Sequence, residues 1–266
     1  MRGLLCLLTF AAGLLLYLGV TRPAARNTAT ELRVPAPAAA RLDALPHVIL
    51  WAWERPEKLE FIDPEKIGVA FLGRTLHLSG EKVLVRPRLQ PLNVPDGMPL
   101  IAVARIESDR DGSATLSLPQ TENAAAAIVE LARLPNVVAI QIDFDARVSE
   151  RKFYFDLLTK VRGTLPPATA LTITALASWC QGDNWLDQLP IDEAVPMLFR
   201  MGTDRSSILN SLATGESFRS SLCRQSSGVS VDETLPFKPA TERIYVFNPN
   251  SWSQNSVKTV LERYQR

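Results

Sequence analysis

The segment Val137–Asp145 reads VVAIQIDFD and indicates a β-strand with two carboxylates at its end. Apolar residues occupy every second position, and Gln141, Asp143 and Asp145 occupy the positions between them. Residues two apart on a strand share a face, so one face is apolar and the other is polar. Polar groups in a row are costly in a core unless they have partners or a function. Because the C-terminal strand ends of a parallel barrel hold its active site, this strand predicts both a fold and a site.

Seven other apolar runs alternate with segments of helical character. Together with the first, the predicted strands are His47–Trp53, Ile67–Leu72, Leu100–Ile106, Val137–Asp143, Leu171–Ala177, Ala194–Phe199, Gly228–Val231 and Arg243–Phe247. The predicted helices are Thr121–Leu134, Arg151–Leu165, Asp204–Thr214 and Asn255–Gln265. Alternation of strand and helix predicts parallel strands joined by crossovers, and eight strands over residues 46–266 fit a single (β/α)8 TIM-like barrel.

A doubly wound open sheet is the alternative fold. That fold usually carries a glycine-rich phosphate-binding turn after its first strand, and WAWERPEKL at residues 51–59 contains no glycine. The segment Leu76–Pro95 departs from the alternation and predicts a hairpin-like insertion after the second strand. We therefore predict an α/β protein with one barrel domain.

The N-terminus predicts export. Residues 1–20 contain an uncharged apolar run, Gly3–Val20, directly after Arg2. Its length lies between a secretory signal and a membrane span, so it predicts a signal peptide or a signal-anchor helix. Residues 21–45 are rich in Pro, Ala and Arg and predict a linker. We expect a periplasmic or extracellular-face protein that is tethered to the membrane by this segment, and cleavage of the segment stays open.

The cysteines are compatible with export. Cys6 lies in the apolar run, which leaves Cys180 and Cys223 in the globular part. In an oxidising compartment these two could form a disulfide, and the alternative is a pair of unrelated thiols.

Composition excludes some classes of partner. The 266 residues are 46% apolar with a formal net charge of +1, which is an ordinary globular composition. The lack of a basic block argues against nucleic-acid binding. The only two histidines are His47 and His77, so no nucleophile–histidine pair stands out and the Asp-x-Asp motif lacks a nearby histidine to complete a metal site. We predict neither a metal nor a cofactor.

Asp143 and Asp145 are the main catalytic candidates. On one strand face they would lie roughly 6.5–7 Å apart, and repulsion between them would raise the pKa of one, as a general acid requires. The two groups that act on a glycosidic bond usually approach it from different sides, which residues i and i+2 of one strand cannot do. A second carboxylate, with Glu54 preferred over Glu107 and Asp232, or a nucleophile supplied by the substrate would meet this requirement.

Two non-catalytic interpretations of these acids stay open. They could form structural ion pairs with Arg147, Arg105 or Arg200, or they could bind a metal ion.

Aromatic and charged side chains near the predicted strand ends are candidates for sugar binding. Sugar rings stack their C–H faces on aromatic surfaces, and an indole adds a hydrogen-bond donor. For the tryptophans, the alternative is a place in the core. The candidate substrate-binding residues are Gln141, Trp51, Trp53, Arg105, Glu107, Trp179, Met197, Arg200, Asp232, Asn248 and Trp252.

The segment VAIQIDFD resembles the fourth-strand signature of chitinase-like glycoside hydrolases, an Asp-x-x-Asp-x-Asp-x-Glu array along the barrel interior. The resemblance assigns Asp145 to the terminal acid, Asp143 to the middle aspartate and Gln141 to the one before it. It also implies substrate-assisted chemistry. The chain departs from the signature by an aspartate in place of the acid glutamate and by a glutamine in place of an aspartate. In MLFRM, Arg200 stands where the family has the aspartate of a Met-x-Tyr-Asp motif.

Longer segments are similar to an uncharacterised bacterial domain family of glycosidase-like TIM barrels. They are LWAWERPEKL, QIDFDARVSERKFYFDLL, ITALASWCQGDNWLDQLPIDEAVPMLFRMG and FNPNSW. This resemblance covers nearly the whole globular part. It implies the barrel and an envelope setting, and no particular reaction.

Two hypotheses of function follow. The first is a glycoside hydrolase-like protein that acts on an envelope or extracellular polysaccharide, with Asp145 as general acid and Asp143 orienting the substrate or tuning the pKa of that acid. The second is a non-catalytic carbohydrate-binding or polysaccharide-assembly barrel, which the departures at Gln141, Asp145 and Arg200 favour.

Overall fold

A computed structural model describes residues 41–109 and 111–265 of the chain. Its strands are β1 Val48–Ala52, β2 Glu57–Lys58, β3 Ile67–Ser79, β4 Lys82–Pro87, β5 Leu92–Asn93, β6 Leu100–Ser108, β7 Val137–Asp143, β8 Ala170–Leu176, β9 Glu193–Met197, β10 Ser226–Ser230 and β11 Arg243–Phe247. Strands β1, β3 and β6 to β11 pair in parallel in that order, and β1 also pairs with β11. The eight strands therefore close into the predicted TIM-like barrel.

The helices are α1 Leu118–Val129, α2 Arg151–Thr164, α3 Ala177–Gly182, α4 Arg205–Ala213 and α5 Gln254–Tyr264. Four of them correspond to predicted helices. Helix α3 differs from the prediction, because the chain turns into a helix at Ala177, where the sequence suggested the end of a strand. Within the described residues, the connections from β1 to β3, from β3 to β6 and from β10 to β11 contain no α-helix.

Strand β3 is longer than predicted and forms one arm of a hairpin. It runs to Ser79 instead of ending at Leu72, and β4 pairs antiparallel with its second half. A register shift against β6 falls between Leu72 and Arg74. A Cβ on the intervening Gly73 would lie 2.7 Å from a methyl group of Leu131, so only glycine fits this close approach. The hairpin predicted for Leu76–Pro95 is therefore present but begins within β3.

Helix α1 holds this hairpin against the domain. Ser117 caps the helix by accepting a hydrogen bond from the backbone N–H of Gln120. The side chain of Gln120 is fully buried and donates to the carbonyl oxygens of Gly80 at 3.2 Å and Lys82 at 2.8 Å. A buried amide whose donors are satisfied in this way fixes the hairpin tip relative to the helix.

The alternation of β7 divides its side chains between two apolar layers. Ile140, Ile142 and Phe144 pack in the layer between the barrel and its helices. Ala139 lies in the separate cluster that fills the barrel interior. Gln141 therefore lies inside the barrel, as the strand pattern predicts.

The chain is already packed at the start of the described residues. Leu42 and Leu45 belong to the interior cluster of the barrel, and Arg41 forms an ion pair with Asp192. Residues 41–45 of the predicted linker thus pack against the domain. The predicted signal segment at residues 1–20 and the rest of the linker lie outside the described residues.

The disulfide interpretation of the two cysteines is confirmed. Cys180 and Cys223 are joined by a disulfide, with Cα atoms 5.9 Å apart. Across residues 41–109 and 111–265, no helix has the length and apolar character needed to cross a membrane.

Candidate functional site

A cleft of about 490 Å³ lies at the C-terminal ends of β3, β6 and β7. It is lined by His77, Arg105, Ile106, Glu107, Ser108, Asp109, Asp143, Phe144, Asp145, Arg147 and Glu150. Charged residues therefore dominate a site at the barrel end where the fold normally carries its chemistry.

The register of the sheet explains why these side chains meet. Arg105 of β6 is paired with Asp143 of β7, and two residues further along β6, Glu107 is paired with His77 of β3. Side chains two apart on a strand share a face. Asp145 lies just beyond the end of β7, and its side chain lines the same cleft.

Asp143 is held in place beneath the cleft. Its Oδ1 accepts a hydrogen bond of 2.7 Å from the hydroxyl of Thr174, and its Oδ2 lies 3.9 Å from Nη1 of Arg105. Only 16% of the side chain is exposed. Burial raises the pKa of Asp143, while the hydrogen bond from Thr174 and the charge of Arg105 lower it.

Asp145 is exposed at the cleft and unconstrained. Within the described part of the chain, its carboxylate forms no hydrogen bond or ion pair. Neighbouring protein atoms nevertheless desolvate the carboxylate, and this desolvation raises the pKa of Asp145. The charge of Arg105 opposes this effect. A carboxyl group with a raised pKa and a free side chain is suited to proton transfer to a ligand.

Arg105 connects the acids to Trp53, a predicted tryptophan that does not itself line the cleft. Its Nε donates to Oε1 of Glu107 at 3.0 Å, and its guanidinium lies over the ring of Trp53 at 5.8 Å from the centroid. Oε2 of Glu107 is also 4.0 Å from Nη2 of Arg86. Glu107 is thus occupied by two cations, and Trp53 remains partly exposed.

The cleft contains a buried acid, Glu150, that the sequence did not predict as a site residue. The buried carboxylate of Glu150 accepts from the backbone N–H of Arg147 at 2.6 Å, from Nη2 of Arg147 at 2.6 Å and from the hydroxyl of Ser108 at 2.5 Å. Burial would raise the pKa of Glu150, but these hydrogen bonds outweigh it and lower the pKa. Glu150 accepts from the backbone N–H three residues before it, as the glutamate of a capping box does, but Arg147 has no side-chain acceptor to complete the box. The sequence therefore carried no capping-box signature that could have identified Glu150.

The cleft also contains a pair that the sequence did not predict, His77 and Asp109. Nε2 of His77 lies 2.8 Å from Oδ1 of Asp109, and Oδ2 of Asp109 accepts from the hydroxyl of Ser113 at 2.8 Å. The sequence prediction ended β3 at Leu72, and so it assigned His77 to an insertion outside the barrel wall. The extension of β3 brings this residue to the cleft.

Gln141 and Trp51 lie inside the barrel and not at its surface. The indole N–H of Trp51 donates to Oε1 of Gln141 at 2.8 Å, and Nε2 of Gln141 is 3.4 Å from the hydroxyl of Thr172. Gln141 has no exposed surface and Trp51 is 3% exposed. Their predicted contact with a substrate is not compatible with this burial.

The central mouth of the barrel is closed by aromatic rings. Phe199 stacks on Phe247 with centroids 5.4 Å apart, and Trp51 contacts both Phe199 and Tyr245. A Cβ on Gly228 would lie 3.0 Å from the ring of Trp51, so the absence of a side chain there makes room for the indole. A ligand therefore reaches the cleft beside β6 and β7, and the barrel axis is filled.

Arg200, Asp232 and Met197 lie on another part of the rim. The guanidinium of Arg200 lies 4.8 Å from the ring centroid of Phe247, and its Nη2 is 3.6 Å from Oδ2 of Asp232. Met197 and Arg200 line a smaller cavity of about 210 Å³. None of these three predicted residues lines the acidic cleft.

Three other predicted binding residues are buried. Trp179 is 6% exposed and packs against Trp185 between barrel and helices, because α3 turns it away from the mouth. Trp252 is 5% exposed, and its indole N–H donates to the carbonyl oxygen of Trp51 at 2.9 Å. Asn248 is 5% exposed and accepts from the backbone N–H of Asn250 at 3.0 Å. All three serve packing or loop structure in this fold.

The predicted second carboxylate, Glu54, is exposed but does not line the cleft. The buried acid of that loop is Glu57, which accepts from the backbone N–H of Trp252 at 2.9 Å and lies 3.5 Å from Nε of Arg55. Burial raises the pKa of Glu57, and its partners lower it. Glu57 therefore joins the loops after β1 and β11 and is remote from the candidate chemistry.

Within the described residues, no group of three or more histidine, cysteine, aspartate and glutamate side chains is arranged to hold a metal ion.

No protein-family model and no curated protein sequence matches the chain. Two similar solved structures are the chitinase domain of the spore coat protein CotE from Clostridium difficile and the spore cortex-lytic enzyme SleL from Bacillus cereus. The first is 15% identical with a TM-score of 0.43, and the match covers 77% of this chain and 65% of that one. The second is 16% identical with a TM-score of 0.46, over 84% of this chain and 59% of that one. The chain thus spans less than two thirds of either structure, and the barrel assignment rests on the strand pairing described above.

Proposed function

We propose that the protein is a glycoside hydrolase-like enzyme that acts on a polysaccharide, with Asp145 as the general acid. One observation carries this proposal: the Asp145 carboxyl group lies in the cleft, has no partner in the described residues and has a pKa raised by desolvation. A general acid has to be protonated before the reaction and free to reach the leaving oxygen. The position of Asp145 in a segment that resembles the chitinase-like signature supports the same role.

Asp143 would orient the substrate and tune the site. Thr174 and Arg105 hold its carboxyl group below Asp145, and the charge of Asp145 contributes to the raised pKa of Asp143. When protonated, Asp143 could donate a hydrogen bond to a ligand and would spare the cleft a second negative charge.

The surface around the acids is suited to a saccharide. Trp53 has a partly exposed ring beside Arg105, and Arg105 lines the cleft with a guanidinium group. A flat indole beside a charged donor matches the apolar and polar faces of a sugar ring. An envelope or extracellular polysaccharide agrees with the disulfide and with the export signal predicted at residues 1–20.

A second candidate function is a non-catalytic carbohydrate-binding or assembly barrel. The observation that favours it is the lack of a free second carboxylate among the described cleft residues, since Glu107 is engaged by Arg105 and Arg86 and Glu54 lies elsewhere. An aspartate in place of the glutamate of the chitinase-like signature also withdraws the acid by one methylene, and small displacements of this kind lower rates steeply.

A polysaccharide panel separates the two functions. The full-length protein would be incubated with neutral, N-acetylated and acidic polysaccharides, and new reducing ends would be measured together with binding. Hydrolysis that is lost in Asp145→Asn while binding persists supports the enzyme. The matched control is Asp156→Asn, which makes the same charge change on the outer face of α2, where Asp156 pairs with Lys152. Binding without hydrolysis in the wild type would establish the second function.

A further inference from the structure

The sheet face that carries the cleft residues continues onto the hairpin of β3 and β4. Strand β4 is the last strand of the sheet, and its pairing with β3 extends the rows of residues that cross β6 and β7. One row consists of Arg86, Thr75, Arg105 and Asp143. The next row contains Leu84, His77 and Glu107. Residues paired directly across a sheet lie on the same face, so the face of Asp143 reaches as far as β4.

Side-chain contacts agree with this arrangement. Nη2 of Arg86 lies 4.0 Å from Oε2 of Glu107. The other oxygen of that carboxylate accepts from Nε of Arg105 at 3.0 Å, and Nη1 of Arg105 lies 3.9 Å from Oδ2 of Asp143. A continuous series of charged side chains therefore leads from β4 to the acid beneath the cleft.

The other face of the hairpin is covered. Leu76 and Leu78 of β3 belong to the apolar layer between the barrel and its helices. Gln120 of α1 donates to the carbonyl oxygen of Lys82 at 2.8 Å, which holds the helix against the hairpin. The open face of the hairpin is therefore the one that adjoins the cleft.

On its open face, β4 presents two cations on either side of an apolar side chain. Lys82, Leu84 and Arg86 are two residues apart from one another and so point to one side, and we call them the β4 strip. All three are exposed, Leu84 by 51% and Arg86 by 65%. Within residues 41–109 and 111–265, Lys82 forms no ion pair, and the acid near Arg86 is already bonded to Arg105. Both cations can therefore accept a further anion.

We infer that the β4 strip extends the substrate-binding surface and recognises the carboxylate groups of an acidic polysaccharide. The inference rests on the proposed function, because it takes the cleft as a polysaccharide site. Lysine and arginine supply the charge and the donors that a carboxylate accepts. Leu84 between them offers apolar surface to the C–H groups of a sugar ring. A polymer that contacts both the strip and Asp145 crosses β3 and β6 on its way.

The acids of the cleft do not prevent this recognition. Three inter-strand spacings separate β4 from β7, so a carboxylate on the strip lies about 14 Å from the backbone of Asp143. At physiological ionic strength the Debye length is about 8 Å, and exposed charges at the larger distance are mostly screened from each other. The acid closest to the strip, Glu107, has its charge balanced by Arg105.

A matched pair of ligands tests the inference on the full-length protein. The probes are a polyuronate oligosaccharide and the same oligosaccharide with its carboxyl groups reduced to alcohols. The wild type should bind the acidic probe more tightly than the reduced one. Added salt should narrow this difference, because the charges of the strip are exposed to solvent.

Two double variants locate the effect. Lys82→Gln with Arg86→Gln should weaken binding of the polyuronate by about 2–30-fold, as the loss of two exposed ion pairs would, and leave binding of the reduced probe unchanged. The control is Arg133→Gln with Lys258→Gln, which removes the same charges from exposed positions after α1 and on α5. The control should bind both probes as the wild type does.

Equal affinity of the wild type for the two probes overturns the role of the strip, and this comparison needs no variant to fold. Wild-type affinity for the polyuronate in the Lys82→Gln, Arg86→Gln protein overturns it as well. Hydrolysis is measured separately. A wild type that binds the polyuronate through the strip and cleaves no polysaccharide overturns the proposed enzyme and supports the strip, whereas cleavage together with equal affinity for the two probes does the reverse.

Discussion

The indole N–H of Trp51 donates a 2.8 Å hydrogen bond to Oε1 of Gln141 across the interior of the barrel. Both side chains are buried, and the amide nitrogen of Gln141 lies 3.4 Å from the hydroxyl oxygen of Thr172. A glutamine supplies an acceptor and a donor here without bringing a charge into the core, whereas an ionised aspartate at the same place would have to be paired. Gln141 therefore belongs to the support of the site and not to its reactive surface.

Replacing Gln141 with leucine should destabilise the fold by about 1–3 kcal/mol, because the indole N–H of Trp51 would be buried without an acceptor. Urea denaturation would measure the change. The double variant Gln141→Leu with Trp51→Phe removes both partners and should lose less than the sum of the single changes. Additive losses would show that the hydrogen bond contributes little.

Asp143→Asn should stabilise the protein at pH 7. The folded-state pKa of Asp143 is raised, so the native state binds its proton more tightly than the unfolded state does. Stability then falls as pH rises from the ordinary aspartate value of about 3.9 through the folded-state value, and asparagine removes this dependence. Thermal unfolding from pH 3 to pH 8 should show a difference that grows with pH. A wild type as stable as the variant at pH 7 would contradict the direction of the shift.

Thr174→Val should raise the pKa of Asp143 further, because the hydroxyl group of Thr174 donates the hydrogen bond that lowers it. Carbon-13 NMR titration of the aspartate carboxyl groups would follow the change. Thr159→Val on α2 is the matched control, since Thr159 bonds only a carbonyl oxygen of its own helix. A titration curve for Asp143 that is the same in all three proteins would refute the effect.

Arg243→Met should cost about 3–5 kcal/mol, because it leaves the carboxylate of Glu193 buried without a cation. Nη2 of Arg243 lies 2.6 Å from Oε2 of Glu193, and Tyr245 donates to the other oxygen at 3.1 Å. Chemical denaturation would give the free energy of unfolding. The double variant Arg243→Met with Glu193→Met should recover most of the loss, and failure to recover it would point to packing instead of charge.

Replacing Cys180 and Cys223 together with serine should destabilise the domain by about 2–4 kcal/mol. The bond joins residues 43 apart in the sequence, so its loss releases a long loop in the unfolded chain. Thermal unfolding of the variant and of the reduced wild type should agree. A variant as stable as the oxidised wild type would show that the crosslink does not contribute.

The barrel could be predicted because its strands are recognisable from short stretches of sequence. Each strand of the barrel carries its own apolar pattern, and Val137–Asp143 and Arg243–Phe247 begin and end at the predicted residues. Asp143 and Asp145 followed from the same periodicity. His77 could not be placed, because the length of β3 depends on pairing with β4 and β6, which the pattern of β3 alone does not reveal.

The tryptophans illustrate a second limit of the sequence. Trp179 was predicted at a strand end, but helix α3 begins two residues before it and turns the indole into the core. Trp252 is buried because its N–H is used by a backbone carbonyl of a strand about two hundred positions away. Whether an aromatic ring packs or binds depends on such long-range partners.

The shape of the cleft and the closure of the barrel depend on different parts of the long hairpin of β3 and β4. Strand β3 pairs with β1 only through its first residues, and the hairpin rises beyond that pairing. Relatives of this chain could lengthen, shorten or exchange the hairpin tip while the eight-stranded wall keeps its hydrogen bonds. Insertion or deletion at this one loop would in this way reshape one side of the cleft and leave the barrel closed.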